Sequence, residues 1–213
     1  LIQHENDLYH ARLDGTAAVR LTSTTGKEEL PSFSPDGKYV AFVRDNDLYV
    51  VDVDTQTERR LTTDGSQQVF NGKADWVYFE EIFHRNYRCY WWSPDSRRIA
   101  FLRIDDSPVH PFAVLDPIPP RQKLELTPYP KAGDPLPLVS VGVVTTAGGT
   151  PVFADLQNYS PTDRLISRAT FTADSSGIIT YLLNRKQTWL DLVRFDCTTG
   201  QSQRLFRETT KAW

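Results

Sequence analysis

The chain has 213 residues, of which 39% are hydrophobic and 24% are charged, the composition of an ordinary globular domain. Its net charge of -3 lacks the basic excess of a nucleic-acid-binding surface, so no nucleic-acid partner is expected. No apolar run reaches the ~18 residues that a membrane helix needs. Cys89 and Cys197 lie far apart and fit neither a disulfide framework nor a zinc site, so two free thiols are expected.

Two short motifs near the start of the chain recur 40 residues later. The tetrad Asn6–Tyr9 returns as Asn46–Tyr49, and the triad Arg20–Thr22 returns as Arg60–Thr62. A period of about 40–45 residues is that of one four-stranded blade of a β-propeller. The repeats therefore predict an all-β fold built from such blades. A β-sandwich of similar short strands is the weaker alternative, because it does not require this period.

A turn followed by a strand of β-branched and aromatic residues marks each blade. Proline at the second turn position presets φ, and aspartate at the third caps the turn with its own side chain. The strand that follows has the composition expected of a β-strand. Ser34–Gly37 and Ser93–Ser96 have this pattern, and Thr172–Gly177 keeps the aspartate but has alanine in place of the proline.

These signals make residues 1–213 a fragment of one propeller domain, with about three and a half blades. Closed propellers typically need 4–8 blades, and a partial ring exposes sheet edges and apolar faces. We therefore expect the chain to be part of a longer propeller. The predicted divisions are a partial blade at 1–22, a blade at 31–63, an acidic-pair loop at 64–88, a blade at 89–156 and a blade at 167–208.

A proline-rich insertion over residues 106–137 interrupts the blade at 89–156. It contains nine prolines, and proline cannot donate a hydrogen bond to a β-ladder. We therefore expect no regular ladder in this segment. A connection of this length usually serves function or assembly.

The most informative stretch is Asp75–Phe83, in which the neighbouring carboxylates Glu80 and Glu81 are flanked by aromatic residues. No lysine or arginine lies between Lys73 and Arg85. Aromatic anchors hold a segment in place, and two fixed carboxylates repel each other, so we expect a cationic group to bind between them. Glutamate pairs without such a frame are mostly solvated surface groups.

Several segments occur in an order and spacing that resemble the N-terminal propeller of bacterial dipeptidyl peptidase IV enzymes, over nearly the whole chain. The most specific are Asp75–Glu81 and Tyr129–Gly133. Phe79 is a departure, because some members have a third acidic residue there. The supporting segments are Trp91–Ser96, Asp105–Val109, Asn184–Gln187 and Arg207–Trp213.

The resemblance implies an eight-bladed propeller that caps a C-terminal α/β-hydrolase domain of the same parent chain. In the family, that domain supplies a Ser-Asp-His triad and removes an N-terminal dipeptide whose second residue is usually proline. The resemblance also implies that Glu80 and Glu81 bind the α-ammonium group of a peptide substrate with a free N-terminus. It further implies a homodimer and a periplasmic or otherwise extracytoplasmic location, although the residues themselves leave the compartment unknown.

No catalytic group is expected within this chain. The Gly-x-Ser-x-Gly motif is absent, so these residues should be inactive alone. The four histidines lack metal-ligand spacing, and we expect no metal and no cofactor. Tyr78 and Asp105 are candidates for a frame that supports the acidic pair, and the neighbouring Asp106 could support it as well. Core packing is the alternative role for Tyr78, and a surface role is the alternative for Asp105 and Asp106.

The predicted function is substrate gating and recognition of the amino terminus in a serine exopeptidase that releases Xaa-Pro dipeptides. Two carboxylates offer several acceptors to an ammonium group with three donors, and each charge-assisted bond contributes about 1.5–3 kcal/mol. A longer peptide would place a neutral amide there and leave the carboxylates unpaired. Two alternatives remain open: the propeller of a related tripeptidyl peptidase or aminopeptidase, and a non-enzymatic propeller that binds a protein partner.

Overall fold

The computed structural model describes residues 1–211, so the last two residues of the Arg207–Trp213 motif lie outside the described residues. Regular structure in the described part is almost entirely β. No helix in residues 1–211 is long and apolar enough to cross a membrane. The strands are β1 (Ile2–His4), β2 (Asp7–His10), β3 (Val19–Arg20), β4 (Glu29–Phe33), β5 (Tyr39–Arg44), β6 (Asp47–Asp52), β7 (Glu58–Arg60), β8 (Val69–Asn71), β9 (Tyr90–Trp92), β10 (Arg98–Asp105), β11 (Pro111–Asp116), β12 (Lys123–Pro128), β13 (Leu138–Thr145), β14 (Val152–Phe153), β15 (Arg164–Phe171), β16 (Gly177–Asn184), β17 (Trp189–Asp196) and β18 (Ser202–Thr209).

The strands of residues 1–211 form five antiparallel sheets, four of which are the successive blades of a partial β-propeller. The first blade has the order β1-β2-β3, the second β4-β5-β6-β7 and the fourth β15-β16-β17-β18. In the third blade the order is β14-β13-β10, and both β8 and β9 pair with the remaining edge of β10. Consecutive strands that pair in chain order are the pattern of propeller blades, so the prediction of a partial propeller is confirmed.

The core consists of apolar layers between adjacent blades. Along β5, Val40 and Phe42 pack toward the first blade, while Ala41 and Val43 pack toward the third. Successive residues of a strand point to opposite faces, so both faces of this sheet are buried. The same alternation along β10 packs one face against the second blade and the other against the fourth. Burial on both faces explains why these strands are continuous apolar runs in the sequence.

The 40-residue repeat encodes a buried network that closes each hairpin. Asn46 has φ +61° in the tight turn between β5 and β6, where a positive φ favours asparagine. The next residue, Asp47, is buried and accepts hydrogen bonds from Arg60 and from the Thr62 hydroxyl. The earlier copy places Asp7 in the same relation to its own arginine and threonine. The aspartate, arginine and threonine of the repeat are thus the hydrogen-bond acceptor and donors of one structural unit.

The two cysteines lie in the apolar layer between the third and fourth blades. Both are free and buried, which confirms the prediction of two separate thiols. Burial raises the pKa of the Cys89 and Cys197 thiols, so both stay protonated and unreactive near neutral pH.

The insertion 106–137 contains a regular hairpin, so the prediction that it has no ladder is wrong. Strands β11 and β12 pair in continuous register, with Pro111 opposite Pro128 and Asp116 opposite Lys123. Pro111 and Pro128 occupy the end of the ladder, and three more prolines lie in the turn at 117–122. The strand interiors therefore contain no proline, and the ladder keeps its donors.

Candidate acidic-pair site

The residues 73–88, which we call the acidic-pair segment, form an excursion from the innermost position of the third blade. Strand β8 pairs with the second half of β10 and β9 with its first half, so one strand position is split in two. The Gly72 N–H donates to Leu102 O, and the Leu102 N–H donates to Cys89 O, each at 2.9 Å. Gly72 has φ +76°, which favours glycine at the exit from the strand. The chain therefore leaves and re-enters the sheet at one point.

Asp75 fixes the start of the helical part of the acidic-pair segment. Its Oδ2 accepts the Val77 N–H and its Oδ1 accepts the Tyr78 N–H, both at 3.0 Å. Its backbone carbonyl accepts the Phe79 N–H at 3.0 Å. A side chain that satisfies the first amide groups of a helix stabilises that end. Burial raises the pKa of Asp75, and these amide hydrogen bonds oppose the shift.

A single π-helical turn, Tyr78–Ile82, carries both glutamates. The Phe83 N–H donates to Tyr78 O at 2.8 Å, the five-residue spacing of a π-helix, and such turns are frequent at functional sites. His84 and Arg85 then adopt positive φ angles of +51° and +65°. Two consecutive left-handed residues cannot continue a right-handed helix, so the turn ends there and the chain reverses toward β9.

The aromatic residues of the acidic-pair segment pack against one another as the sequence predicts. Phe79 stacks on Tyr87 with ring centroids 3.8 Å apart, which links the two arms of the excursion. Phe83 contacts Trp91 of β9 edge to face at 6.2 Å. These pairs attach the π-turn to its own base and to the innermost strand, so the glutamates are carried on a fixed frame.

Tyr78 lies in the core of the fold. Its side chain is fully buried in the layer between the third and fourth blades. Its hydroxyl accepts the Ile166 N–H from β15 at 3.2 Å. Burial raises the pKa of this phenol well above its usual range, so the hydroxyl is neutral. Tyr78 is therefore a core residue that also ties the π-turn to the neighbouring blade.

The two glutamates differ in their partners. The Arg85 guanidinium donates to Glu80 Oε1 from Nε at 3.1 Å and from a terminal nitrogen at 2.9 Å. Glu80 keeps 30% of its side chain exposed. Glu81 is exposed and forms no hydrogen bond or ion pair with any residue in the range 1–211. One carboxylate is thus oriented by a neighbouring cation, and the other is available to a ligand.

The family comparison agrees with this architecture. The model described as Dipeptidyl peptidase IV (DPP IV) N-terminal region matches residues 3–213. The chain belongs to this family.

Named relatives and a solved structure fit the same family. Probable dipeptidyl-aminopeptidase B of Phaeosphaeria nodorum is 33% identical over 195 residues, 84% of this chain and 21% of that protein. Dipeptidyl aminopeptidase B of Saccharomyces cerevisiae is 33% identical over 156 residues, 70% of this chain and 19% of that protein. The crystal structure of Porphyromonas gingivalis dipeptidyl peptidase 4 matches with a TM-score of 0.83 and 30% identity, covering 91% of this chain and 27% of that one. The chain spans about a fifth of the length of these curated relatives.

Asp105, a candidate for the frame that supports the acidic pair, caps the start of the insertion. Its Oδ1 accepts the Ser107 N–H at 2.9 Å, and its other oxygen lies 3.9 Å from Arg103. Neither partner belongs to the acidic-pair segment. The structure therefore places Asp105 beside the frame without a hydrogen bond to it.

Asp106, the neighbour of Asp105 and a second candidate for support of the acidic pair, is the residue that faces the acidic-pair segment. It is 3% exposed, and its Oδ1 has no hydrogen-bond partner among the described residues. Burial, with the nearby charges of Asp75 and Asp105, raises the pKa of Asp106 to about 8. The sequence signal that distinguishes it from Asp105 is the alternation along β10, where Ile104 is buried and Asp105 is half-exposed, so the next residue points inward.

The chemistry available at this site is that of carboxylates without a metal. No group of three or more histidine, cysteine or acidic side chains in residues 1–211 is arranged to hold a metal ion. Exposed carboxylates on a fixed turn accept hydrogen bonds from cationic donors. The arrangement can therefore bind and orient a cation such as a protonated amine.

Proposed function

We propose that this chain is the N-terminus-recognition and substrate-gating propeller of a serine exopeptidase that releases Xaa-Pro dipeptides. The observation that carries the proposal is the π-turn, which presents Glu81, without a partner in the described part of the chain, beside a Glu80 oriented by Arg85. Membership in the dipeptidyl peptidase IV N-terminal region family supports the peptidase context. The names of the relatives, dipeptidyl aminopeptidases, support release of dipeptides.

The recognition step follows from charge and geometry. A substrate α-ammonium has three donors and gains a new ion pair with Glu81, whose carboxylate has no partner to lose among residues 1–211. Glu80 adds acceptors to the same cation while Arg85 holds its orientation. A neutral amide from a longer peptide desolvates these carboxylates without compensating charge, so it is rejected. The pair therefore fixes the distance from the amino terminus to the scissile bond, and catalysis gains from this positioning.

The gating role is supported by the innermost strands. Those of the second, third and fourth blades meet around a cavity of about 290 Å³. Its walls include the aromatic residues Phe33, Trp91, Trp92 and Phe171. A channel with aromatic walls restricts which peptides reach a domain beneath it. We propose that this domain is the α/β-hydrolase of the same parent chain, which supplies the serine nucleophile, and that the parent acts outside the cytoplasm.

The test is kinetic and uses the full-length parent. In Glu81→Ala we expect kcat/KM for Gly-Pro-p-nitroanilide to fall by more than about tenfold, because one charged contact is removed. Glu80→Ala should have a smaller effect, since Arg85 already neutralises part of the charge of Glu80. The matched control is Glu208→Ala, an exposed glutamate on the outermost strand β18.

Hydrolysis of p-nitrophenyl acetate, which has no ammonium group, reports the nucleophile separately and should not change in Glu81→Ala. Unchanged dipeptide kinetics in Glu81→Ala would refute the recognition role. Faster cleavage of Ala-Ala-Pro-p-nitroanilide than of the dipeptide substrate would favour a tripeptidyl peptidase. Absence of any hydrolase domain in the parent would favour a protein-binding propeller.

We also propose that the parent is a homodimer in which the insertion hairpin contacts the second copy. The register of β11 and β12 puts Ala113, Leu115, Leu124 and Leu126 on one face, and all four are exposed. An isolated two-stranded hairpin with an apolar face is only marginally stable in water, so a protein partner is expected to cover it.

The oligomeric state of the parent tests this contact. Leu124→Glu combined with Leu126→Glu should convert a dimer into a monomer in light scattering after size exclusion, because charges would be buried at the contact. Glu125→Gln lies on the opposite face of the same strand and is the control. A dimer that persists in the double variant, or a monomeric wild-type parent, would rule out this role of the hairpin.

A further inference from the structure

Asp106, at the start of the insertion 106–137, and Tyr129, which follows its hairpin, lie beside Asp75 and Trp76 near the start of the acidic-pair segment. Directly after β12, the Tyr129 ring lies 4.4 Å from the Trp76 ring, centroid to centroid. Tyr129 also contacts Phe112 at 5.7 Å, and its N–H donates to His110 O at 3.2 Å. The base of the hairpin is therefore attached to the acidic-pair segment by the contact between Tyr129 and Trp76.

At the start of the insertion, Asp106 lines the same cavity as Asp75. The Asp106 N–H donates to Gln68 O at 2.8 Å, which fixes its backbone against the residues before β8. Its buried side chain and that of Asp75 line one cavity of about 230 Å³. The same cavity is lined by Trp76 and by the end of β12. It therefore lies between the base of the hairpin and the start of the acidic-pair segment.

Among the described residues, no cationic side chain forms an ion pair with Asp106. Lys73 lines the cavity, but its Nζ donates to Glu29 at 2.6 Å. The other titratable groups nearby are Asp75, Asp105 and the phenol of Tyr87. Burial and the two aspartates raise the pKa of Asp106 to about 8, so it is a neutral acid at pH 7. A neutral carboxyl has an O–H donor, whereas two ionised carboxylates in one buried cavity would repel.

We propose that two residues of the insertion position the acidic pair: Tyr129 through its contact with Trp76, and Asp106 through Asp75 in the cavity that they share. This inference rests on the proposed recognition of a substrate ammonium by Glu80 and Glu81. Asp75 fixes the first amides of the π-turn, so a shift of Asp75 moves both glutamates. Asp106 and Tyr129 are thus positioning residues that do not touch the substrate.

The first experiment measures kcat and KM of the full-length parent on Gly-Pro-p-nitroanilide. Tyr129→Ala should raise KM by about two- to tenfold, the contribution of one aromatic pair, with little change in p-nitrophenyl acetate hydrolysis. Tyr129→Phe keeps the ring and should restore the wild-type KM. Phe206→Ala, an exposed aromatic on β18, is the matched control. An unchanged KM in Tyr129→Ala, or a KM raised equally in Tyr129→Phe, would overturn the role of the ring.

The second experiment compares pH profiles of the wild type and Asp106→Asn. The substrate ammonium itself titrates near pH 8, so the quantity compared is the ratio of variant to wild-type kcat/KM at each pH, in which the substrate cancels. Asparagine stays neutral, so this ratio should rise by up to about tenfold from pH 7 to pH 9, as wild-type Asp106 ionises. A ratio that does not change with pH would overturn the proposal.

A third variant keeps the result interpretable if the asparagine repacks. Asp106→Leu removes the hydrogen-bond donor and should raise KM at every pH. Asp106→Asn keeps a donor, so its KM at pH 7 should equal that of the wild type. Equal KM values in the leucine variant and the wild type would also overturn the role of Asp106. Glu81→Ala in the same series separates the two proposals. If Glu81→Ala has no effect, the recognition role fails; if only Glu81→Ala has an effect, the positioning role alone fails.

Discussion

Asp47 and Asp106 are both almost completely buried, at 0% and 3% exposure, but their surroundings are opposite. Asp47 lies in the second blade and accepts hydrogen bonds from four groups. Asp106 lies at the base of the insertion, and its Oδ1 has no hydrogen-bond partner in the described part of the chain. The donors to Asp47 are Arg60, the Thr62 hydroxyl, the Gly65 N–H and the Asn71 side chain.

The difference shows how one residue type serves two purposes in one fold. A buried carboxylate with a full set of donors holds a hairpin closed, because each of its oxygens has hydrogen-bond partners. A buried carboxylate without donors keeps its proton instead, which is costly for folding and is found where a segment must be positioned or must respond. Asp47 repeats along the chain as part of a structural unit, whereas Asp106 occurs once, beside the acidic pair.

The largest expected effect comes from removing the satisfied carboxylate. Asp47→Ala should lower the free energy of unfolding of the full-length parent by about 3–5 kcal/mol, because Arg60 and the other donors lose their acceptor. Thermal unfolding measures this loss. Asp54→Ala, at an exposed turn position of the same blade, is the control. A loss below about 1 kcal/mol would mean that the repeated network adds little to stability.

The intermediate effect has the opposite sign and depends on pH. The unfolded chain releases the Asp106 proton near pH 4, but the folded protein holds it to about pH 8, so wild-type stability falls as pH rises through this window. Asp106→Asn removes the titration. Its melting temperature relative to the wild type should rise from pH 4 to pH 8 and then level off. At pH 8 the free energy of unfolding of Asp106→Asn should exceed that of the wild type by on the order of 2 kcal/mol. A pH-independent difference would contradict the assignment.

The smallest effect is local to the acidic-pair segment. Asp75→Ala removes the acceptor of the Val77 and Tyr78 amides and should cost about 1 kcal/mol. Hydrogen exchange of residues 73–88 should therefore accelerate, while exchange in β16 stays as in the wild type. Asp75→Asn keeps one side-chain oxygen and should lie between the two. Equal exchange in all three proteins would show that the cap does not hold the turn.

Much of the fold was predictable because its information is local. The recurrence of Asn46–Tyr49 and the turn at Ser34–Gly37 place strands whose register and hairpins follow from nearby residues. The insertion was misjudged, because counting prolines ignores where they fall, and Pro111 and Pro128 sit at the end of the ladder. The acidic pair was predicted from its flanking aromatics, but its π-turn was not, since helical type there depends on contacts with other blades.

The sequence by itself determined the all-β blades and located the acidic pair, since periodicity and turn chemistry act within a few residues. Only the tertiary structure decided that Glu80 is paired with Arg85, while Glu81 has no partner within residues 1–211. It alone brought Asp106 to Asp75 and Tyr129 to Trp76 across tens of residues. The physical reason is burial: whether a carboxylate is ionised, paired or a proton donor depends on neighbours that only folding assembles.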